Sequence, residues 1–136
     1  MKRYIGTKTI HAEPASGPSG DGYNVTYADG YKSWSPKAAF EEAYRECNAM
    51  TFGLAIEAMK RGAKVARAGW NGKGMFVYYV PANSYPVQTG AAKSHFGEGS
   101  MVPYNAYMAI KNVDETVSTW VPSVNDCLAE DWSILS

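Results

Sequence analysis

The sequence is poor in the residues that announce a chemistry. It has two cysteines, Cys47 and Cys127, and two histidines, His11 and His95. None of the four has a neighbour at metal-ligand spacing, which argues against a zinc site built on Cys and His. His11 reads as a strand residue, and His95, beside Phe96, reads as the lining of a pocket or interface. Two thiols so far apart predict no disulfide framework; reduced, buried thiols of a cytosolic protein are the expectation. Charge of either sign is not in excess, with thirteen basic and thirteen acidic residues. Extended duplexes demand many Lys and Arg contacts, so no DNA or RNA polymer is expected as a partner. A small anionic ligand needs only local donors and stays open, and zero net charge permits self-association. No hydrophobic run reaches membrane-spanning length, and Met1–Gly6 lacks the apolar stretch of a signal peptide.

Intact phosphate loops are missing as well. Gly72-Lys73 resembles the end of a Walker loop, but Arg67 stands where its first glycine belongs and Gly74 replaces the magnesium-binding hydroxyl. Gly97-Glu98-Gly99 is half a dinucleotide fingerprint with no strand before it. Asp126, Glu130 and Asp131 cluster near Trp132 and would suit acid–base hydrolysis. Helix capping by Asp126 and a solvated Glu130 explain the same residues more simply. With no nucleophile, base or metal constellation, neither catalysis nor a cofactor is expected.

What is present is an ordinary folded composition, 46% hydrophobic and 19% charged over 136 residues, enough for one domain or two small units. Lys2 to His11 alternates as a strand, and Glu13–Gly22, dense in Pro and Gly, reads as a loop. Tyr23–Tyr27 and Tyr31–Trp34 flank Asp29-Gly30, a hairpin signal. Ser35-Pro36 predicts a capped start for a helix over Lys37–Glu46, with Phe40, Ala43, Tyr44 and Cys47 on one face. Thr51 caps a second helix that turns Phe52, Leu54, Ala55, Ala58 and Met59 inward and ends at Arg61-Gly62. Strands follow at Lys64–Arg67 and Met75–Val80. Pro81–Met101 has no period and reads as a long functional or mobile loop. Tyr104–Lys111 and Val117–Val121 are strands around a turn at Val113–Thr116. Ser123–Asp126 opens a short helical turn, and Asp131–Leu135 is a final strand. The expected layout is α+β: a hairpin-plus-helix unit over residues 1–48, then a helix on a mainly antiparallel sheet over 49–136.

Chemistry concentrates in Ala68-Gly69-Trp70-Asn71-Gly72-Lys73-Gly74-Met75-Phe76. Glycines let this turn take positive φ and let another surface approach. Trp70, Phe76, Trp120 and Trp132, with Tyr78 and Tyr104, offer stacking faces. Asn71, Ser123 and Asn125 suit base edges and ribose hydroxyls, and Arg67 and Lys73 suit phosphates. The competing reading is a tight hairpin whose indole caps the core. On the ligand reading Trp132 belongs in the core and Trp70 outside it.

The runs Met50–Gly62 and Lys64–Phe76, with Trp120-Val121-Pro122-Ser123 and Asp126-Cys127-Leu128-Ala129-Glu130-Asp131-Trp132, closely resemble the phage Thoeris anti-defence proteins of the second type. The resemblance covers about residues 50–136. It implies a sponge that binds cyclic ADP-ribose-type signals (gcADPR among them) without cleaving them. It also implies cyclic dinucleotides of CBASS signalling as possible ligands, a homotetramer with pockets between subunits, and action in the cytoplasm of the infected bacterium. Trp70 matches the family's stacking tryptophan, with Asn71 beside it. Backbone amides near Gly72 and Gly74 would meet phosphates, and Lys73, Phe76, Trp120, Ser123, Asn125 and Asp126 are the further ligand-binding candidates among the aromatic and polar residues of the same domain. Ser123-Val124-Asn125-Asp126 departs from the Ser-Gln-Thr-Asp type of run expected there. Residues 1–48 resemble a leader module of other small phage proteins. The alternatives are a phosphodiesterase using Asp126 and Asp131, and a phage structural or adaptor protein.

Overall fold

The computed structural model describes residues 1–135. They fall into two compact units, Met1–Cys47 and a second that begins at Asn48. Helices and purely antiparallel strand pairs make the fold α+β.

In the first unit, β1 (His11–Gly17), β2 (Gly20–Thr26) and β3 (Lys32–Pro36) form a sheet in that order. The hairpin between β1 and β2 replaces the loop expected over Glu13–Gly22. Gly17 pairs with Gly20 across Pro18-Ser19, and Gly20 adopts φ 115°. Pro14 is tolerated because β1 is an edge strand, where a missing N–H need not deprive a neighbour. The strand expected from Lys2 is absent, and no regular structure precedes His11. Asp29-Gly30 does turn the chain: the Gly30 amide donates to the Tyr27 carbonyl at 2.9 Å, and Tyr31 N to Asp29 Oδ1 at 3.0 Å.

Helix α1 (Lys37–Ala43) starts after Pro36, which occupies the N-cap without a side-chain cap. Ser35 belongs to β3, so the expected serine cap is not made, and the helix ends before Glu46. Phe40 stacks on Tyr23 and Tyr44, with centroids 4.1 and 4.9 Å away. Both thiols are exposed, which corrects the expectation of burial. Cys47 lies past the end of α1, and Cys127 sits one step round its helix from buried Asp126.

The second unit opens with α2 (Phe52–Lys60), whose cap is the expected one: Thr51 Oγ1 accepts from Leu54 N at 3.4 Å. Phe52, Ala55 and Met59 are buried along one stripe. Gly62, at φ 96°, closes the helix through its amide to the Met59 carbonyl. There follow β4 (Lys64–Arg67), β5 (Phe76–Val80), β6 (Asn83–Pro86), α3 (Gly90–Phe96), β7 (Met101–Tyr104), β8 (Tyr107–Lys111), β9 (Val117–Thr119), α4 (Val124–Leu128) and β10 (Trp132–Leu135). The main sheet runs β10-β4-β5-β8-β9.

The span Pro81–Met101 is not a structureless loop. It is an excursion in which β6 pairs with β7, from Asn83↔Tyr104 to Pro86↔Met101, with α3 between them. The expected strand from Tyr104 is interrupted at 105–106, and β9 stops at Thr119. Trp120 therefore lies beyond the strand, its amide donating to the Met108 carbonyl at 2.8 Å.

Strand alternation gives the main sheet two different faces. Val65 pairs with Val77, and Val77 with Ile110, on the face where α2 and Trp132 complete the core. Phe76 pairs with Lys111, and Lys111 with Val117, on the other. Among the described residues no helix is long and apolar enough to cross a membrane.

Candidate functional site

The Trp70 turn joins β4 to β5, and its geometry begins with Arg67, the last residue of β4. Antiparallel pairing sets Arg67 opposite Trp132, so Asp131 arrives beside the guanidinium. Arg67 Nε donates to Asp131 Oδ1 and Nη1 to Asp126 Oδ1, each at 2.9 Å. Asp131 Oδ2 accepts the Gly69 amide at 2.8 Å. A Cβ on Gly69 would stand 3.0 Å from that oxygen, so the glycine permits the close approach.

Asp126 is the second anchor. Its Oδ1 also accepts from Trp70 Nε1 at 3.2 Å, and its Oδ2 accepts the Ser123 amide at 3.0 Å. Ser123 Oγ accepts Asp126 N at 3.0 Å, completing the capping box of α4, while Trp132 Nε1 donates to the Asp126 carbonyl at 2.9 Å. One aspartate thus ties α4 to β4, to the turn and to the core tryptophan.

Burial would raise the Asp126 carboxyl, but donation from Arg67, the Ser123 amide and Trp70 outweighs it and holds the group below the usual carboxylate range. Asp131 is lowered chiefly by Arg67. The same contacts, Asp131 first, raise Arg67. Both carboxylates accept from the Arg67 guanidinium, so Arg67, expected to meet phosphates, is paired with both of them through Nε and Nη1.

Trp70 is half-buried and packs against the core cluster without being part of it. It meets Trp132 edge-on at 5.3 Å and Trp120 at 6.1 Å, and Phe52 lies 5.0 Å from Trp132. Trp132 is fully buried, as expected. The indole of Trp70 therefore forms the rim of an aromatic cluster, its N–H fixed and its ring held by two neighbours.

The other candidates divide into three groups. Trp120, Ser123 and Asp126 join the Arg67 cluster, but the Ser123 hydroxyl and amide and the Asp126 carboxylate are already engaged. Asn71 and Lys73 are exposed on the turn, and Asn125 is exposed on α4. The amides of Asn71, Gly72, Lys73 and Gly74 donate to no other group among the described residues.

Gly74 and Phe76 form the third group, on the opposite sheet face. Gly74 adopts φ 77°. Lys64 Nζ and Lys111 Nζ lie over the Phe76 ring, 5.3 and 5.7 Å from its centroid. Neither lysine was singled out from the sequence. Two alternating strands were legible there, but not the register that sets Phe76 opposite Lys111. His95 lies in α3, edge-on to Phe96. No group of three or more His, Cys, Asp or Glu is placed to hold a metal among the described residues.

Two open depressions, of about 580 and 490 Å³, lie on the first unit, and neither is lined by a residue of the turn. The chemistry-bearing groups lie elsewhere, around the turn in the second unit.

Residues 50–135 match the family described as Tad2-like, the Thoeris anti-defense 2-like domain. The curated protein Thoeris anti-defense 2 of Bacillus phage SP01 is similar as well, 41% identical over 88 residues, or 64% of this chain and 96% of that protein. The family match contains the whole Trp70, Arg67 and Asp126 cluster and begins after the first unit.

Proposed function

The chain belongs to the Thoeris anti-defense 2-like family, and from that premise we propose that it binds and retains a cyclic ADP-ribose-type immune signal without cleaving it. The observation that carries this reading is the Trp70 rim. A half-buried indole, oriented by Asp126 and braced by Trp120 and Trp132, is pre-organised to stack a flat heterocycle. Exposed Asn71 and Lys73 and the free turn amides supply donors beside it. A sponge gains from such rigidity, because little ordering cost is left when the ligand binds.

Cyclic dinucleotides are a second ligand class of the same reading, and the host cytoplasm is where either signal would be met. Self-association into a homotetramer, with a neighbouring subunit closing the pocket, belongs to it too. Zero net charge and the exposed Tyr85, Phe96, Met101 and Tyr104 of the β6–β7 excursion support that part.

Base stacking on an aromatic ring is worth about 1–3 kcal/mol. Trp70→Ala is therefore expected to weaken binding of a cyclic ADP-ribose isomer about ten- to hundredfold in calorimetry. Trp70→Phe, which keeps a ring in the cluster, should lose less. Equal affinity in all three proteins would remove Trp70 from the site. Heating the complex and chromatographing the ligand tests retention: intact signal supports the sponge, and a hydrolysed product makes the protein a phosphodiesterase.

A further inference from the structure

We propose that Lys64, Phe76 and Lys111, with the adjoining Gly72–Gly74 amides, form a binding site for the phosphoryl groups of a diphosphate-bearing ligand. The inference rests on the nucleotide-retention reading for its biological ligand; Lys64, Phe76 and Lys111 lie apart from the Trp70 cluster, on the other sheet face, and the turn amides adjoin both. Phe76 projects from the sheet face opposite the core, and register sets Lys111 directly across from it. Lys64 reaches the same ring from β4, on the other side of β5. Two ammonium groups therefore lie over one apolar ring, Lys64 exposed and Lys111 largely sheltered, and the reduced solvent contact at Lys111 strengthens its attraction for an anion.

Lys111 is the more telling of the two. Its side chain is only 13% exposed, whereas Glu115, its partner at 2.9 Å, is 80% exposed. An ion pair with so exposed a carboxylate holds weakly and is readily exchanged. A phosphate carries more charge and more acceptor oxygens than that carboxylate. Lys111 Nζ also lies 3.6 Å from where a Cβ on Gly74 would stand, so the ammonium sits against the turn. The Gly72, Lys73 and Gly74 amides, which donate to nothing else among the described residues, are in the same turn. Successive free amides in a glycine turn beside an ammonium are the usual means of holding oxyanions.

The test is titration of the full chain with inorganic pyrophosphate, followed by NMR of the backbone amides and lysine ammonium groups. Saturable shifts are expected at Lys64, Gly74, Phe76 and Lys111. They should be lost in the double variant K64Q/K111Q and kept in K111R, with thermal melts confirming that each variant is folded. Absence of saturable shifts, shifts elsewhere, or shifts that survive K64Q/K111Q would overturn the site.

A parallel calorimetric titration with a cyclic ADP-ribose isomer separates the two claims. If the wild type binds it, K64Q/K111Q should bind at least about tenfold more weakly. Equal binding overturns the phosphate site and leaves retention standing. Pyrophosphate shifts at these residues, with no uptake of the cyclic signal, support the phosphate site and overturn the retention reading.

Discussion

In the first unit Val25 is the one buried hydrophobic side chain among the described residues, whereas the second buries Met50, Phe52, Ala55, Met59, Val65, Val77, Val102, Ala109 and Trp132. The first unit compensates with rings laid on backbone. The Trp34 indole covers Gly17 and Gly22 so closely that a Cβ at either position would overlap it, and its N–H reaches the Ala15 carbonyl at 3.1 Å. Phe40 does the same work on the other elements, stacked between Tyr23 and Tyr44. A unit of that size has little interior to fill, so removing side chains under a ring takes the place of adding them around one. The second unit has a true interior, and there the tryptophans meet each other edge-on.

The comparison is broken most severely at Trp132. Trp132→Ala should cost about 3–5 kcal/mol, as for other buried aromatics. Denaturant unfolding would measure it, and hydrogen exchange should show protection lost from α2, β4 and β10. A cost below about 1 kcal/mol would mean that the aromatic cluster is not the core's centre. Gly22→Ala is the matching test of the first unit. Its methyl would strike the Ser35 carbonyl and the Trp34 ring, an overpacking expected to cost about 1–3 kcal/mol. Amides of β1, β2 and β3 should exchange faster, and unchanged protection would show that Trp34 is free to move aside.

Acid gives the smallest effect and sharpens the contrast. Asp126 and Asp131 have lowered pKa values in the folded chain. Their contribution is therefore complete above the ordinary carboxylate value of about 3.9 and is lost as pH falls through the folded values. Melting temperature should hold from neutral pH to about pH 4 and fall below it. Asp126→Asn should flatten that fall. A melting temperature independent of pH in this range would remove the Arg67 cluster as a source of stability.

Local signals were legible in the sequence, and distant pairings were not. Thr51, the apolar spacing of Phe52, Leu54, Ala55, Ala58 and Met59, and Gly62 announce α2 because cap, period and stop lie within a dozen residues, although only Phe52, Ala55 and Met59 are buried. The capping box of Ser123 and Asp126 was equally local. The β6–β7 excursion was hidden because its short, exposed strands have no period, and only pairing across α3 defines them. Pro14 and its neighbouring glycines suggested a loop, since nothing local says that a strand will lie at an edge. At the site, Trp70 and its glycines were visible, but the partners that fix Trp70 were not. Arg67 and Asp126 are 59 residues apart, and an ion pair over that distance leaves no pattern in the chain.

The pairing of β4 with β10 also sets an order of events during synthesis. Arg67 and the Trp70 turn leave the ribosome well before Asp126, Asp131 and Trp132 exist. Until those residues emerge, the guanidinium lacks both of these counter-charges and the indole lacks the carboxylate that orients it. Order at the turn would arrive late and all at once, when one strand added at the sheet's edge closes a contact spanning most of the second unit.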